Sequence, residues 1–145
     1  MPIPINQTLA LKMLPLLYYC LYVIFTMKKT LVLGASLKQD RYANIAIHKL
    51  REYNHQVVAI GMKQGVVNDV TITTEKKLFE GVDTVTLYLN SKRQEAYYDY
   101  ILSLNPKRII FNPGTENSSF YTILEAHKIP FEIACTLVLL GTNQY

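Results

Sequence analysis

Residues 27–44 read Met-Lys-Lys-Thr-Leu-Val-Leu-Gly-Ala-Ser-Leu-Lys-Gln-Asp-Arg-Tyr-Ala-Asn. Thr30–Leu33 is a short apolar run closed by Gly34. From Tyr42 the period changes: Ala43, Ala46, Ile47, Leu50 and Tyr53 recur at i, i+3, i+4 and i+7 spacing, with Arg51 and Glu52 facing out. A strand that ends on a glycine turn and passes into an amphipathic helix opens a βα unit.

The same alternation continues downstream. Gln56–Ile60 reads as a buried strand ended by Gly61, Val70–Thr73 as a short extended piece and Glu75–Phe79 as a short helical turn. Thr84–Leu89 is rich in β-formers. Arg93–Leu104 is an amphipathic helix using Tyr97, Ile101 and Leu104, and it stops before Pro106. Arg108–Phe111 is a fourth strand, Ser118–His127 a third helix with Asn117 as its N-cap, and Phe131–Ala134 a fifth strand. Leu137–Leu140 is a short apolar finish. The strands are continuous apolar runs separated mostly by helices, which is the pattern of a parallel sheet covered on both faces. The expectation is one α/β, doubly wound domain over residues 27–145, with about five strands.

Upstream of Met27 the character changes. Residues 1–26 carry one charge, Lys12, and Met13–Phe25 is nearly unbroken apolar sequence. A spanning helix needs roughly 20 such residues. No small-x-small cleavage site follows, and Lys12 is a poor charged region for a signal peptide. Pro2, Pro4 and Pro15 are expected to weaken a long helix. Residues 1–26 are therefore read as an apolar extension outside the domain, with Met27 the expected start of the protein. A membrane-associated tail using residues 13–25 and an inefficient signal peptide are the alternatives.

Composition narrows the class. The chain has 145 residues, 50% apolar and 18% charged, with a formal net charge of +4. That is enough chain to bury a core in one domain. The basic surplus is small and dispersed, which argues against a nucleic-acid partner. Cys20 and Cys135 give neither a disulfide framework nor a CxxC pair, so a cytoplasmic location is expected. His48, His55 and His127 lie away from the strand ends, and no cluster has metal-ligand spacing. No nucleophile–base pair is apparent, so no catalytic residue is assigned.

In open parallel sheets ligands bind beyond the carboxyl ends of the strands, at the point where strand order reverses. After the first strand comes Gly34-Ala35-Ser36 and then Arg41. Gly34 permits a sharp turn and is expected to leave room for a phosphate. Ser36 offers a hydroxyl, the next helix offers free N–H groups, and Arg41 can pair an anion bidentately. The dinucleotide pattern GxGxxG is not met, because Ser36 and Gln39 stand where glycines would. After the second strand, Lys63 suits a phosphorylated ribose, as in NADP or coenzyme A, rather than the bare ribose that an acid would hold. An ordinary solvated lysine is an equal alternative. Asn90 and Ser91 follow the third strand and cap the next helix or line a pocket. Pro113 and Gly114 fix the turn after the fourth strand, where Thr115 and Asn117 could face a ligand. Cys135 follows the fifth strand as a reactive or an inert thiol.

The run Gly34-Ala35-Ser36 with Arg41-Tyr42-Ala43-Asn44 resembles the opening of small stand-alone CoA-binding proteins. These are related to the CoA-binding domain of the succinyl-CoA synthetase α-subunit. Residues 82–90 (VDTVTLYLN), 112–117 (NPGTEN), 134–140 (ACTLVLL) and 141–145 (GTNQY) are also similar to that family. The resemblance spans 27–145 and none of 1–26. It implies a Rossmann-like fold holding coenzyme A or an acyl-CoA. Gly34, Ala35 and Ser36 would hold phosphates, with Arg41, Tyr42 and Asn44 nearby, and Asn90, Pro113, Gly114, Thr115 and Asn117 would line the rest. The synthetase's phosphohistidine machinery is missing, so its ligase activity is not implied. A binding protein is the first expectation, and a small NADP-dependent reductase the alternative.

Overall fold

A computed structural model describes residues 5–145. Its core is a seven-stranded sheet: β1 (Thr30–Ala35), β2 (Val57–Gly61), β3 (Gly65–Val67), β4 (Val70–Thr73), β5 (Thr84–Leu87), β6 (Arg108–Phe111) and β7 (Phe131–Ile133). The order across the sheet is β3-β4-β2-β1-β5-β6-β7. Every pairing is parallel except the β3–β4 hairpin. Seven strands replace the expected five. β4 is the extended piece seen in the sequence. β3 was not anticipated: Gly65–Val67 is too short to show a period, and it forms by folding back on β4 through Asn68, whose φ is +57°.

Alternating β1 residues feed the two faces. Leu31 and Leu33 join one core with Val85, Leu87, Ile109 and Phe111. That face is covered by α4 (Tyr98–Leu104) through Ile101, and by α5 (Ser118–Ala126) through Phe120 and Leu124. Val32 joins the other core with Ala59 and Ile72. There α2 (Tyr42–Glu52) brings Ala43, Ile47 and Leu50, and α6 (Thr136–Gly141) brings Leu140. The Rossmann-like, doubly wound arrangement follows from this two-sided covering. Tyr53, the last member of the α2 stripe, is 43% exposed because the helix ends at Glu52.

Two expectations differ from the structure. Glu75–Phe79 is not a helical turn; Lys77 N–H bonds Glu75 O and Phe79 N–H bonds Lys77 O, which are i→i+2 turns of extended chain. Phe79 packs onto the core, and Tyr100 Oη donates to Lys77 O, so tertiary contacts hold this segment extended. The expected helix Arg93–Leu104 begins earlier, as α3 (Ser91–Gln94), because Asn90 Oδ1 accepts from Arg93 N–H at 2.9 Å. It then tightens to a 3-10 turn over Glu95–Tyr97 before α4. Asn105, at φ +47°, ends it before Pro106. The apolar finish Leu137–Leu140 is helical, as α6.

Upstream, α1 (Ile5–Thr26) runs through Pro15. The ring removes one backbone donor, and the leucines and other helix-competent neighbours carry the helix past it. Pro2 and Pro4 lie outside the described residues. Met13, Leu14, Leu16, Leu17, Tyr18 and Tyr19 are exposed. Among the described residues, no helix is long and apolar enough to cross a membrane.

Candidate functional site at the carboxyl ends of the strands

β1 lies between β2 and β5, and the chain leaves it in one direction for β2 and later returns on its other side as β5. The strand-order reversal therefore falls at the carboxyl end of β1. Gly34 there has φ +96°, and Tyr88 N–H bonds Leu33 O at 2.8 Å, fastening the end of β5 to it. On the other side, β2 approaches so closely that a Cβ on Gly61 would lie 2.3 Å from Ala35 O. Leu37 continues the turn in the same direction and packs over Gly65.

The turn between β1 and α2 is held by short polar contacts. Ser36 Oγ accepts from Lys38 N–H at 3.2 Å. Asn44 is buried and donates its side-chain amide to Ser36 O at 3.0 Å. Arg41 occupies the N-cap position of α2 and makes no side-chain cap. Its φ and ψ are extended, its C=O accepts from the N–H groups of Asn44 and Ile45, and the residue is exposed. Tyr42 is 70% exposed. Arg41 and Tyr42 thus stand exposed at the same edge.

After β6 the chain forms a closed polar network. Asn112 Nδ2 donates to Thr86 Oγ1 at 2.7 Å and Leu87 O at 2.9 Å, and Asn112 Oδ1 accepts from Thr136 N–H at 2.9 Å. Thr115 Oγ1 donates to Asn112 O at 2.7 Å. Gln94 is fully buried and donates to both Leu89 O and Thr115 O. Asn117 Nδ2 donates to Gln94 Oε1 and Tyr98 Oη, while Asn117 Oδ1 accepts from Phe120 N–H and caps α5. The side chains of Asn44, Thr115 and Asn117 are thus engaged inside the protein. Their part at this edge is to hold the turns in place. Pro113 and Gly114 stand exposed at the tip of the β6 turn, and a Cβ on Gly114 would meet nothing within 4 Å. Glu116 is turned inward on its own loop, accepting from Gly114 N–H at 2.9 Å.

Charge is distributed unevenly between the two ends of the sheet. Four ion pairs occur among the described residues: Lys49–Glu52, Arg51–Asp69, Lys107–Asp83 and Arg108–Glu132. All lie toward the amino ends of the strands. Lys38, Arg41, Lys63 and Arg93, on the carboxyl-end turns, take part in none of them. Lys63 is exposed just beyond β2. Arg93 reaches from α3 to Met62, where Nη2 contacts Sδ.

Arg93, Met62 and Gln94 are not among the residues expected from the sequence. A signal for Arg93 was present: a cation in the first turn of a helical run, three residues after its cap, opposes the helix dipole. Gln94 gave none, since its role depends on partners from three segments.

Cys135 is half-buried at the start of α6. Tyr88 is pushed up to about 12, chiefly by burial, against hydrogen bonds from Thr86 and Thr136. Among the described residues no three His, Cys, Asp or Glu side chains are grouped to hold a metal. A cavity of about 420 Å³ lies on the opposite side, lined by His48, Arg51, Glu52, Asn68 and Asp69. There Arg51 is already neutralised by Asp69 at 2.9 Å.

Residues 28–141 match the family described as CoA binding domain. No curated protein matches the chain. A solved structure of an uncharacterized protein is 48% identical, with 83% of this chain and 99% of that chain covered and a TM-score of 0.80. A structure from Thermus thermophilus is 18% identical, covering 88% of this chain and 98% of that one, at a TM-score of 0.75. A hypothetical protein from Pyrococcus horikoshii is also 18% identical, covering 85% and 87%, at 0.73. The last two share the fold.

Proposed function

We propose, from the premise that the chain belongs to the CoA binding domain family, that it holds coenzyme A or an acyl-CoA at the carboxyl edge of its sheet. The observation that carries this is the set of cations there, Lys38, Arg41, Lys63 and Arg93, none engaged by a carboxylate in the four ion pairs of the described residues. A cation left without a counter-ion beside free helix N–H groups favours an anionic ligand. The diphosphate of coenzyme A suits the Gly34–Arg41 turn, and the phosphate on its ribose suits Lys63. Asn90, Pro113 and Gly114 then border the remainder.

We read the protein as a holder of the ligand rather than a catalyst, acting in the cytoplasm, with its binding domain at residues 27–145 and α1 outside it. Lys38, Arg41, Lys63 and Arg93 stand on this edge with the acids Asp40 and Glu116, and Glu116 is occupied by Gly114 N–H. Isothermal titration with coenzyme A, acetyl-CoA, NAD and NADP tests the reading. Binding of the two CoA ligands in preference to the nicotinamide nucleotides is expected. Absence of heat with coenzyme A at millimolar concentration would overturn it.

A further inference from the structure

We propose that Arg93 is a ligand-binding residue whose guanidinium, held against Met62 across the carboxyl end of β1, takes a phosphate oxygen of the ligand in place of the sulfur. This rests on the coenzyme A reading above. Met62 follows β2, and Arg93 lies in α3, beyond β5. Those strands are the two neighbours of β1. At the usual strand spacing they stand about 10 Å apart. The Arg93–Met62 contact therefore spans the point where Gly34 and Ala35 lead into the α2 turn.

The two partners are poorly matched. A guanidinium presents five donors in a planar fork that fits a phosphate, whereas a thioether is a weak acceptor. Arg93 belongs to none of the four ion pairs among the described residues. Both side chains are exposed, Met62 at 75%, so the contact contributes little to the core. A cation this close to the start of a helical run is also opposed by the helix dipole. Neither folding nor local electrostatics accounts for an arginine here, while an anion over β1 would. Lys63, adjacent to Met62, supplies a second cation from the β2 side. Exchange of sulfur for phosphate then clamps the ligand from both sides of β1 and releases Met62.

The test titrates wild type, Arg93→Gln and Arg93→Lys with coenzyme A and with dephospho-CoA, which lacks the ribose phosphate. The methyl-13C signal of Met62 is followed in parallel, and the melting temperature is taken for each variant. Arg93→Gln is expected to weaken coenzyme A binding about tenfold or more, the scale of one hydrogen bond to a charged group. Arg93→Lys recovers part of that loss, both variants melt with wild type, and coenzyme A moves the Met62 methyl signal. A loss confined to coenzyme A places Arg93 on the ribose phosphate, and an equal loss with both ligands places it on the diphosphate; either supports the proposal. Equal coenzyme A affinity in wild type and Arg93→Gln, or a Met62 signal that does not move, overturns it while leaving the coenzyme A reading standing. A wild type that does not bind coenzyme A overturns both.

Discussion

A Cβ on Gly34 would lie 2.9 Å from both the carbonyl carbon and the carbonyl oxygen of Tyr88. The space that a side chain at position 34 would fill is therefore taken by the protein's own backbone. Gly34 lets β1 pass the end of β5 at close range, and its φ of +96° sets the direction of the turn toward α2. Whatever Gly34 does for a ligand, it does first by allowing these two strand ends to meet.

Gly34→Val is accordingly expected to destabilise the fold before it alters any contact with a phosphate. The left-handed conformation alone costs a branched side chain roughly 1–3 kcal/mol, and the Tyr88 carbonyl cannot yield without breaking its strand's bond to Leu33. Urea denaturation of the variant is the measurement. A midpoint equal to that of wild type would show that the turn relaxes freely and that Gly34 is not a packing glycine.

Gln94 joins three segments, through Leu89 O, Thr115 O and Asn117 Nδ2. Gln94→Leu keeps the approximate volume but strands these partners in a buried site. Each buried unsatisfied group costs about 1–3 kcal/mol, so a clear loss of stability is expected, larger than that of Gln94→Glu measured at acidic pH, where the carboxyl is protonated. The β6 turn should loosen as well, which faster amide exchange at Thr115 would report. A Leu variant as stable as wild type would mean that water enters and replaces the amide.

The sequence made the βαβ order legible because the strands are apolar runs and α2, α4 and α5 carry helical stripes. Gly61 and Asn117 marked a real strand end and helix start, while β1 runs one residue past Gly34 to Ala35. It was least informative where tertiary contacts decide: Glu75–Phe79 lies extended because Tyr100 and the core hold it, and β3 exists only by pairing with β4. At the candidate site, the rule that ligands meet carboxyl ends pointed to the turns after β1, β2 and β6. Which side chains face inward was not legible. Asn44, Thr115 and Asn117 are polar residues in polar loops, and nothing in their spacing says that their partners are Ser36 O, Asn112 O and Gln94.

His55 is buried at the amino end of the sheet, where its Nδ1 accepts from Lys28 N–H at 3.0 Å and its ring lies 4.8 Å from that of Tyr145. Burial, followed by the charges of Lys28 and Arg108, lowers its pKa below the ordinary 6.5. The unfolded chain then binds the proton first as pH falls. Stability should be unaffected by this group above about 6.5, should decline as pH drops below that value, and should level off once the folded-state pKa is passed. His55→Asn, which keeps an acceptor near Nδ1, should lose that part of the slope. Stability curves measured from pH 8 to pH 5 check it; identical slopes in wild type and variant would rule His55 out as the source.

Arg41 separates binding from stability, because it caps nothing and belongs to none of the ion pairs among the described residues. Arg41→Ala should leave the denaturation midpoint within about 0.5 kcal/mol of wild type, as exposed substitutions usually do. Coenzyme A affinity should fall about tenfold or more, since a charge-assisted bond to phosphate is lost. The loss should be largest at low salt and shrink as ionic strength rises, because an exposed cation is screened within about 10 Å at 0.1 M. Titrations at several salt concentrations read both effects. An affinity that falls equally at every ionic strength would mean that Arg41 shapes the turn rather than meeting the anion, and an unchanged affinity would remove it from the site.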